Sequence, residues 1–506
     1  MYYTEMDLIN AKLSAMGAMN ESEIIKYILN EDINSRQKKA MADGVNYYNG
    51  RHDVFEKDFR SQIIEETENE NGKEITERKN FKNPNRSNHH NAHLFHKLLV
   101  NQKVSYIVGK EPTVTADKAD KTFQSFVSDM ADETFDEMLQ RLVKGASNKG
   151  YEALHFYYDD TGKLSYCIVP AEELILVYDT EYQKNLEQVI RYYNTKVIKG
   201  GVTYIRRKIE WWTGKDVTFY TEKEENVFVR DNDRVNPSPH WWSVTSLDGF
   251  EKRRVPMSWG RVPFVILENN AEYTTDLSMV KTLIDAYDLL SSEGTNNFLD
   301  LVELYWVIQG YGGETAGAIA KKLQINRAVN ISDSQGSVTA QQVNLPVSER
   351  IAWLSMLRRD IYHFGMGIDI EDEKIGNAPS GVALKFRYAN LKHKCELVSP
   401  SLKRVIKEFY WFMLADYNRR NGTAYNADSI KVTLNYSQIA NDMETVQILA
   451  TSEGMLSKKT QIENHPLVTD VNDELERLEE EEKSREDKYN DLNMTKPQGG
   501  DGGSEE

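Results

Sequence analysis

The chain has 506 residues, 62 Lys and Arg against 79 Asp and Glu, and a formal net charge of −17. That length allows three or four packed units at roughly 100–200 residues each, and 40% apolar with 28% charged residues is the composition of a soluble globular protein. The carboxylate excess argues against a sequence-specific DNA binder, whose contact face is basic, but leaves room for a protein that touches DNA weakly.

Met1–Asn10 has no basic segment followed by an apolar run, and no stretch of about 18 uninterrupted apolar residues occurs, so neither a signal peptide nor a membrane anchor is expected. Ile24, Ile25, Ile28 and Leu29 lie one turn apart and predict a helical stretch over Glu21–Asn49, capped at Asn49-Gly50. Glu65–Asn88 is polar and reads as a loop. Leu94, Leu98, Leu99, Gln102 and Tyr106 predict a helix over Asn91–Tyr106, closed by Gly109 and Pro112. Phe123–Lys149 reads as a further helical run stopped by Gly150.

The period then changes from about 3.6 to 2. Leu154–Tyr158, Leu164–Val169, Leu174–Tyr178, Val189–Thr195, Val202–Trp212, Val217–Glu222 and Asn226–Arg230 are short β-branched and aromatic runs separated by turn residues, and Pro263–Glu268 reads as the last strand. An apolar stripe from Val280 to Tyr305 predicts a long helix. Gly310–Gly313 breaks it, and an insert follows with strand-like Ala328–Ile331 and Ser337–Val343. A return helix is expected over Ser348–Phe364, then a loop, then a long helix through Tyr417 kinked at Ser399-Pro400. Ser457 reads as an N-cap, Pro466 as a helix end and Asp470 as the start of an acidic helix. Asp470–Glu506 holds 14 acidic and 5 basic residues, a net of −9 that leaves −8 for the rest, and Pro497–Glu506 is expected to be disordered. The fold class is α+β. Cys167 and Cys395 are the only cysteines, which implies no disulfide framework and fits a reducing cytoplasm.

Phosphate-binding and dinucleotide loops, metalloprotease and EF-hand motifs and the nucleophile elbow are all absent from the sequence. His89, His90, His93 and His96 form the one cluster with metal-like spacing. On a helix, the His89/His93 and His93/His96 pairs would share a face, but no further ligand is adjacent, so packing or surface hydrogen bonding is the competing reading. Asp369, Glu371, Asp372 and Glu373 lie in the glycine-flanked segment Gly365–Gly381, which reads as a solvated loop or as a mobile charged one. Lys385, Arg387, Lys392, His393 and Lys394 gather positive charge on the helix that follows, either as a salt-bridged face or as contacts for phosphate. Trp211-Trp212, Trp241-Trp242 and Phe409–Phe412 read as packing, with one Trp of each strand pair in the core.

Four segments, in their order and spacing, resemble the portal proteins of long-tailed bacteriophages of Gram-positive bacteria. They are Asn91-Ala-His-Leu-Phe-His-Lys-Leu-Leu-Val through Gly109-Lys-Glu-Pro, then Gly150-Tyr-Glu-Ala-Leu-His-Phe-Tyr-Tyr-Asp-Asp with Ile168-Val-Pro-Ala-Glu-Glu-Leu, then Gly260-Arg-Val-Pro-Phe-Val-Ile-Leu-Glu-Asn-Asn, and Leu456-Ser-Lys-Lys-Thr. The similarity spans about Ile24 to Lys483, while Asp231–Lys252 has no counterpart in the family. The resemblance implies a portal fold with an α/β wing (1–270), stem helices (271–305 and 347–364) around a small mixed clip (306–346), a tunnel loop (365–381), a long kinked helix returning to the wing (382–434), a helical crown (435–490) and a disordered tail (491–506). It also implies a non-enzymatic homo-oligomeric ring, commonly of twelve subunits, at one capsid vertex of the virion, assembled in the host cytoplasm. Double-stranded DNA would pass through its channel during packaging and ejection. Terminase, the head–tail adaptor, and the major capsid and scaffold proteins would be the partners, with no membrane, metal or cofactor. On that template Asp369, Glu371, Asp372, Glu373 and Lys374 belong to the DNA-facing tunnel loop, and Lys385, Arg387, Lys392 and Lys394 are candidate basic residues of the channel. The alternatives are a metal-dependent hydrolase built on His89–His96 and another phage minor head protein.

Overall fold

A computed structural model describes residues 20–70, 73–84, 86–116, 120–179, 185–247, 251–300, 305–309, 337–341, 346–369, 381–437, 442–465, 467–468 and 471–494. The chain divides into two compact units, Met1–Asp369 with Asn390–Ser437, and Ile370–Ala389 with Gln438–Glu506.

The first unit opens on two helices, α1 (Glu21–Ile33) and α2 (Arg36–Tyr48), rather than one. Ser35 ends the first and caps the second, its hydroxyl accepting from the Lys38 amide at 3.1 Å. Apolar spacing alone spans such a junction, because both helices keep their faces toward one core. The polar segment expected as a loop is instead an antiparallel hairpin, β1 (Ser61–Glu70) with β2 (Lys73–Lys82). Its strands lack an apolar face, but Asn71-Gly72 between them is a strong hairpin dipeptide. Helix α3 begins at Phe95 and runs to Val108; residues 87–94 are not helical. After a short strand, β3 (Thr113–Thr115), the expected Phe123–Lys149 run is two helices, α4 (Lys121–Asp129) and α5 (Glu133–Lys149). Asp132 caps the second on the Phe135 amide at 2.9 Å, and Gly150 closes it at φ +88°.

The β-rich region forms two sheets. Strands β6 (Leu174–Tyr178), β7 (Leu186–Lys199), β8 (Val202–Trp212), β9 (Asp216–Glu224) and β10 (Val227–Arg230) follow one another as an antiparallel meander. The two-residue period sends Leu174, Leu176, Val189 and Trp212 to one face, against Met41 and Phe264. Ile175, Ile190 and Ile209 go to the other, against Ile25, Ile28 and Leu29 of α1. Burial on both faces is why β6, Leu-Ile-Leu-Val-Tyr, reads as a continuous apolar run. The second sheet sets β4 (Tyr151–Tyr158) between β5 (Leu164–Val169) and the strand Phe264–Glu268. The stretch after Asp231 contributes Ser238–Pro239 to the edge of the meander and a separate hairpin, Trp241–Leu247 with Glu251–Met257. Trp212 is buried beside a partly buried Trp211, while Trp242 is exposed beside a partly buried Trp241, so only the first pair places a Trp in the core.

Helix α6 (Lys281–Leu299) stops before Tyr305, which instead opens a strand paired with Ser337–Gln341. An aromatic residue in phase with a helical stripe fits a strand equally well, so periodicity overran the end. Ala328–Ile331 lies outside the described residues. The return helix α7 is Val347–Phe364, and α8 runs from Gly381 to Asn421 through Pro400. The Ser399 hydroxyl donates to the Cys395 carbonyl at 2.8 Å in that turn. Phe409 and Phe412 of α8 are buried, Phe412 stacking on Phe156 at 4.3 Å. In the second unit, Asp442–Thr451, Lys458–Glu463 and Val471–Met494 are helices, and Ser457 caps the middle one on the Thr460 amide. Pro497–Glu506 lies outside the described residues.

Close approach of α2 to α5 depends on Gly44, where a β-carbon would lie 1.9 Å from the Asn148 carbonyl oxygen. Gly44→Ala is expected to destabilise the protein by about 1–3 kcal/mol through forced separation of the two helices. Urea denaturation followed by far-UV circular dichroism measures this.

Candidate functional site

The acidic loop leaves α7 through a fixed turn. Gly365 caps the helix, its amide donating to the Ile361 carbonyl at 2.8 Å, and Met366 takes φ +54°. The Gly367 amide returns to the Tyr362 carbonyl at 2.9 Å. A β-carbon on Gly367 would meet the Leu99 side chain at 2.2 Å, so glycine is what lets the chain cross α3. Beyond it the Gln102 carboxamide clamps Ile368 on both sides, accepting from its amide at 2.9 Å and donating to its carbonyl at 2.7 Å. Arg358 then holds Asp369 with two parallel bonds of 2.8 Å. Of the predicted loop carboxylates, Asp369 is thus ion-paired inside its own subunit. Glu371, Asp372, Glu373 and Lys374 lie outside the described residues.

Among the predicted basic residues, Lys394 needs correction. It is 4% exposed, and its ammonium donates to the Gly365 carbonyl at 3.0 Å and pairs with Asp276 at 3.1 Å. A cation buried in its own subunit is unavailable to a channel. Lys392 is exposed and reaches Glu396 at 3.7 Å. Lys385 and Arg387 sit in the helical backbone of α8, and their side chains lie outside the described residues.

Asp276 precedes α6 and serves two ammonium groups, since Lys103 of α3 also pairs with it at 3.1 Å. Lys103 donates to Asn269 at 2.5 Å, and Asn269 donates to Asp276 at 2.9 Å. Burial alone would raise the Asp276 pKa, but the two ammoniums and the Asn269 amide outweigh it and hold the carboxyl well below the usual range. Burial, opposed by Asp276 but joined by the charge of Lys394, lowers the pKa of Lys103. This buried trio joins α3, the start of α6, the root of the acidic loop and α8.

The histidines sit otherwise than a shared helical face requires. Residues 87–93 run antiparallel along α6, and alternate backbone amides meet side chains four residues apart on the helix. The His93 amide donates to Asp288 at 2.9 Å, that of Asn91 to Ser292 at 2.9 Å, that of His89 to Asn296 at 2.7 Å and that of Ser87 to Asp300 at 2.8 Å. Two strand residues advance about 6.6 Å and four helix residues about 6 Å, so the repeats nearly match. Asp288, Ser292 and Asn296 are fully buried in consequence. The Asp-x-x-x-Ser-x-x-x-Asn-x-x-x-Asp spacing was the sequence signal for this ladder, hidden among apolar positions. Asn296→Ala, which strands both the amide and the carbonyl of His89, is expected to cost about 1–3 kcal/mol in equilibrium unfolding.

The imidazoles of His90, His93 and His96 each have a different partner. His90 meets the Lys57 carbonyl, His93 and His52 flank Asp288, and His96 bonds Asn148 at 2.9 Å. No group of three His, Cys, Asp or Glu suited to a metal ion occurs among the described residues, and the helix begins only at Phe95, so the shared helical face expected for His89, His93 and His96 is not formed. Burial lowers the His96 pKa to about 4 and that of His155 to about 3. Because the unfolded imidazoles protonate first, near 6.5, stability is expected to fall by about 1.4 kcal/mol per pH unit per histidine below that value. Urea midpoints at pH 7 and pH 5 test this, with His96→Gln reducing the difference.

Compared with known proteins, the chain matches the family described as "Phage portal protein, SPP1 Gp6-like" over residues 28–488. It is 31% identical over 462 residues to the portal protein of Bacillus phage SPP1, covering 89% of this chain and 85% of that protein. It is also 28% identical over 488 residues to the portal protein of Clostridium phage phiCD119, covering 92% and 96%.

Proposed function

This chain belongs to the SPP1 Gp6-like phage portal protein family, and we propose that it works as a non-enzymatic ring at one capsid vertex of the virion, built in the host cytoplasm and threaded by double-stranded DNA. The observation that carries the reading is the family match over residues 28–488, nearly the whole chain. In this reading α6 and α7 are the stem, the strand pair between them belongs to the clip, the loop beyond Asp369 faces the channel, and the helices after Ser437 form the crown. Terminase and later the head–tail adaptor dock at the clip, while major capsid and scaffold proteins meet the outer parts.

Exposed apolar side chains on the two stem helices support assembly. Phe298 is 68% exposed, and Leu299, Val347, Ile351 and Trp353 are exposed with it. Ser291, Thr295, Phe298 and Ile351 line a groove of about 410 Å³ between the helices. Monomers seldom leave such contiguous apolar surface open, and a closed ring covers it with complementary faces of neighbouring copies. A channel must also avoid gripping DNA, because each phosphate neutralised by Lys or Arg adds salt-dependent affinity. Acidic residues in the loop suit sliding. Negative-stain imaging of the purified chain is the test: rings with a central hole are expected, and monomers of 58.3 kDa would overturn the reading.

A further inference from the structure

The hairpin of β7 and β8 is longer than the sheet that supports it. β6 pairs with β7 no farther than Arg191, and β9 pairs with β8 only from Lys208 onward. From Asn194↔Arg207 to Lys199↔Val202, six cross-strand pairs have no partner strand on either side among the described residues. Gly200 and Gly201, at φ +58° and +81°, close the end. The result is a two-stranded arm about 20 Å long.

Its surface is unlike that of a solvated hairpin. Ile198, 74% exposed, and Ile205, 66% exposed, share one face, while Val202 and Tyr204 stand exposed on the other. Between Asn194 and Arg207 the sequence carries Lys196, Lys199, Arg206 and Arg207 and no carboxylate, in a chain whose net charge is −17. Isolated two-stranded hairpins are marginal in water, and two open edges invite further pairing.

We propose that this arm docks on a neighbouring copy of the same chain, its isoleucines buried and its basic residues against acidic surface. The inference rests on the ring reading above. A basic arm on an acidic subunit is complementary to another copy of that subunit, and a closed ring requires unlike patches that fit each other. Apolar side chains on both faces favour a protein surface over phosphate, since binding a nucleic-acid backbone needs no exposed isoleucine.

The test uses full-length protein carrying the photo-cross-linker p-benzoylphenylalanine in place of Tyr204. Irradiation of assembled rings is expected to give subunit–subunit adducts on a denaturing gel, mapped by mass spectrometry. In parallel, I198D/I205D is expected to lower the assembled fraction in sedimentation by at least about tenfold, as loss of apolar anchors does, with the subunit's circular dichroism unchanged. Rings that give no adduct, adducts only to DNA or to another protein, or a double variant that assembles like the parent would each overturn the proposal. A parent chain that forms no ring at all would instead overturn the ring reading itself.

Discussion

Asp276→Ala is expected to destabilise the protein by about 3–5 kcal/mol, the usual consequence of removing one partner from a buried ion pair. Lys103 and Lys394 both keep their ammonium groups out of water, and Asp276 is the carboxylate that both contact. Without it, two like charges face each other in the core. Asp276→Asn preserves the shape and some hydrogen bonds, yet leaves the same uncompensated charge, so it should fall close to the Ala variant. Adding Lys103→Met to Asp276→Ala should recover part of the loss, because one orphan cation is then gone. Acid has the same effect as the substitution. The folded carboxyl is held below its unfolded value, so its contribution is complete above about pH 4 and is lost as the pH falls through the folded value. Urea unfolding of the three variants measures the first effect, and acid titration of the parent measures the second.

Reversing the loop charge should be the largest functional change. Asp369 is held by Arg358, so on the proposed channel reading the carboxylates that would face DNA are Glu371, Asp372 and Glu373. If the loop lines the channel as proposed, replacing these three with Lys puts a band of cations around it. A protein making 6–10 phosphate contacts loses roughly 10³–10⁵ in affinity between 50 and 200 mM salt. The triple Lys variant is therefore expected to hold DNA in a strongly salt-dependent way and to cut genome packaging by at least about a hundredfold at low salt, with partial recovery as salt rises. Nuclease-protected DNA in packaging reactions is the readout. Unchanged packaging after replacing Asp369, Glu371, Asp372 and Glu373 with Ala would remove the loop from the mechanism. Arg358→Ala separates the two roles of the acidic set, because it removes the paired hydrogen bonds on Asp369 without changing any carboxylate.

Much of the architecture was legible because period and caps are local. The strands of the meander, the helix pair around the glycine-broken insert, and Gly150 as a stop were all readable from spacing. What escaped reading was where two elements meet end to end. Ser35 and Asp132 are ordinary N-cap residues lying inside apolar stripes that continue across them, and stripe counting passed over both. Tyr305 extended a helical stripe into a strand. The histidines illustrate a different limit. Their spacing is defined along the chain, but the partners that decide their role, Asp288 and Asn148, lie 195 and 52 residues away from His93 and His96. Lys394 was misplaced for the same reason. A basic helix looks solvated until the Gly365 carbonyl and Asp276 arrive from elsewhere to bury one member.

The ladder of residues 87–93 on α6 also constrains synthesis. At about 5–20 residues per second, the ribosome finishes Asn91 some 10–40 seconds before Ser292, its partner 201 residues later. Through that interval the extended segment has no helix to lie on, and its backbone amides remain in water. The N-terminal unit therefore cannot complete its fold domain by domain as it emerges. A nascent chain arrested before residue 300 would present this segment open, a time window in which a chaperone or a protease can recognise an unfinished subunit.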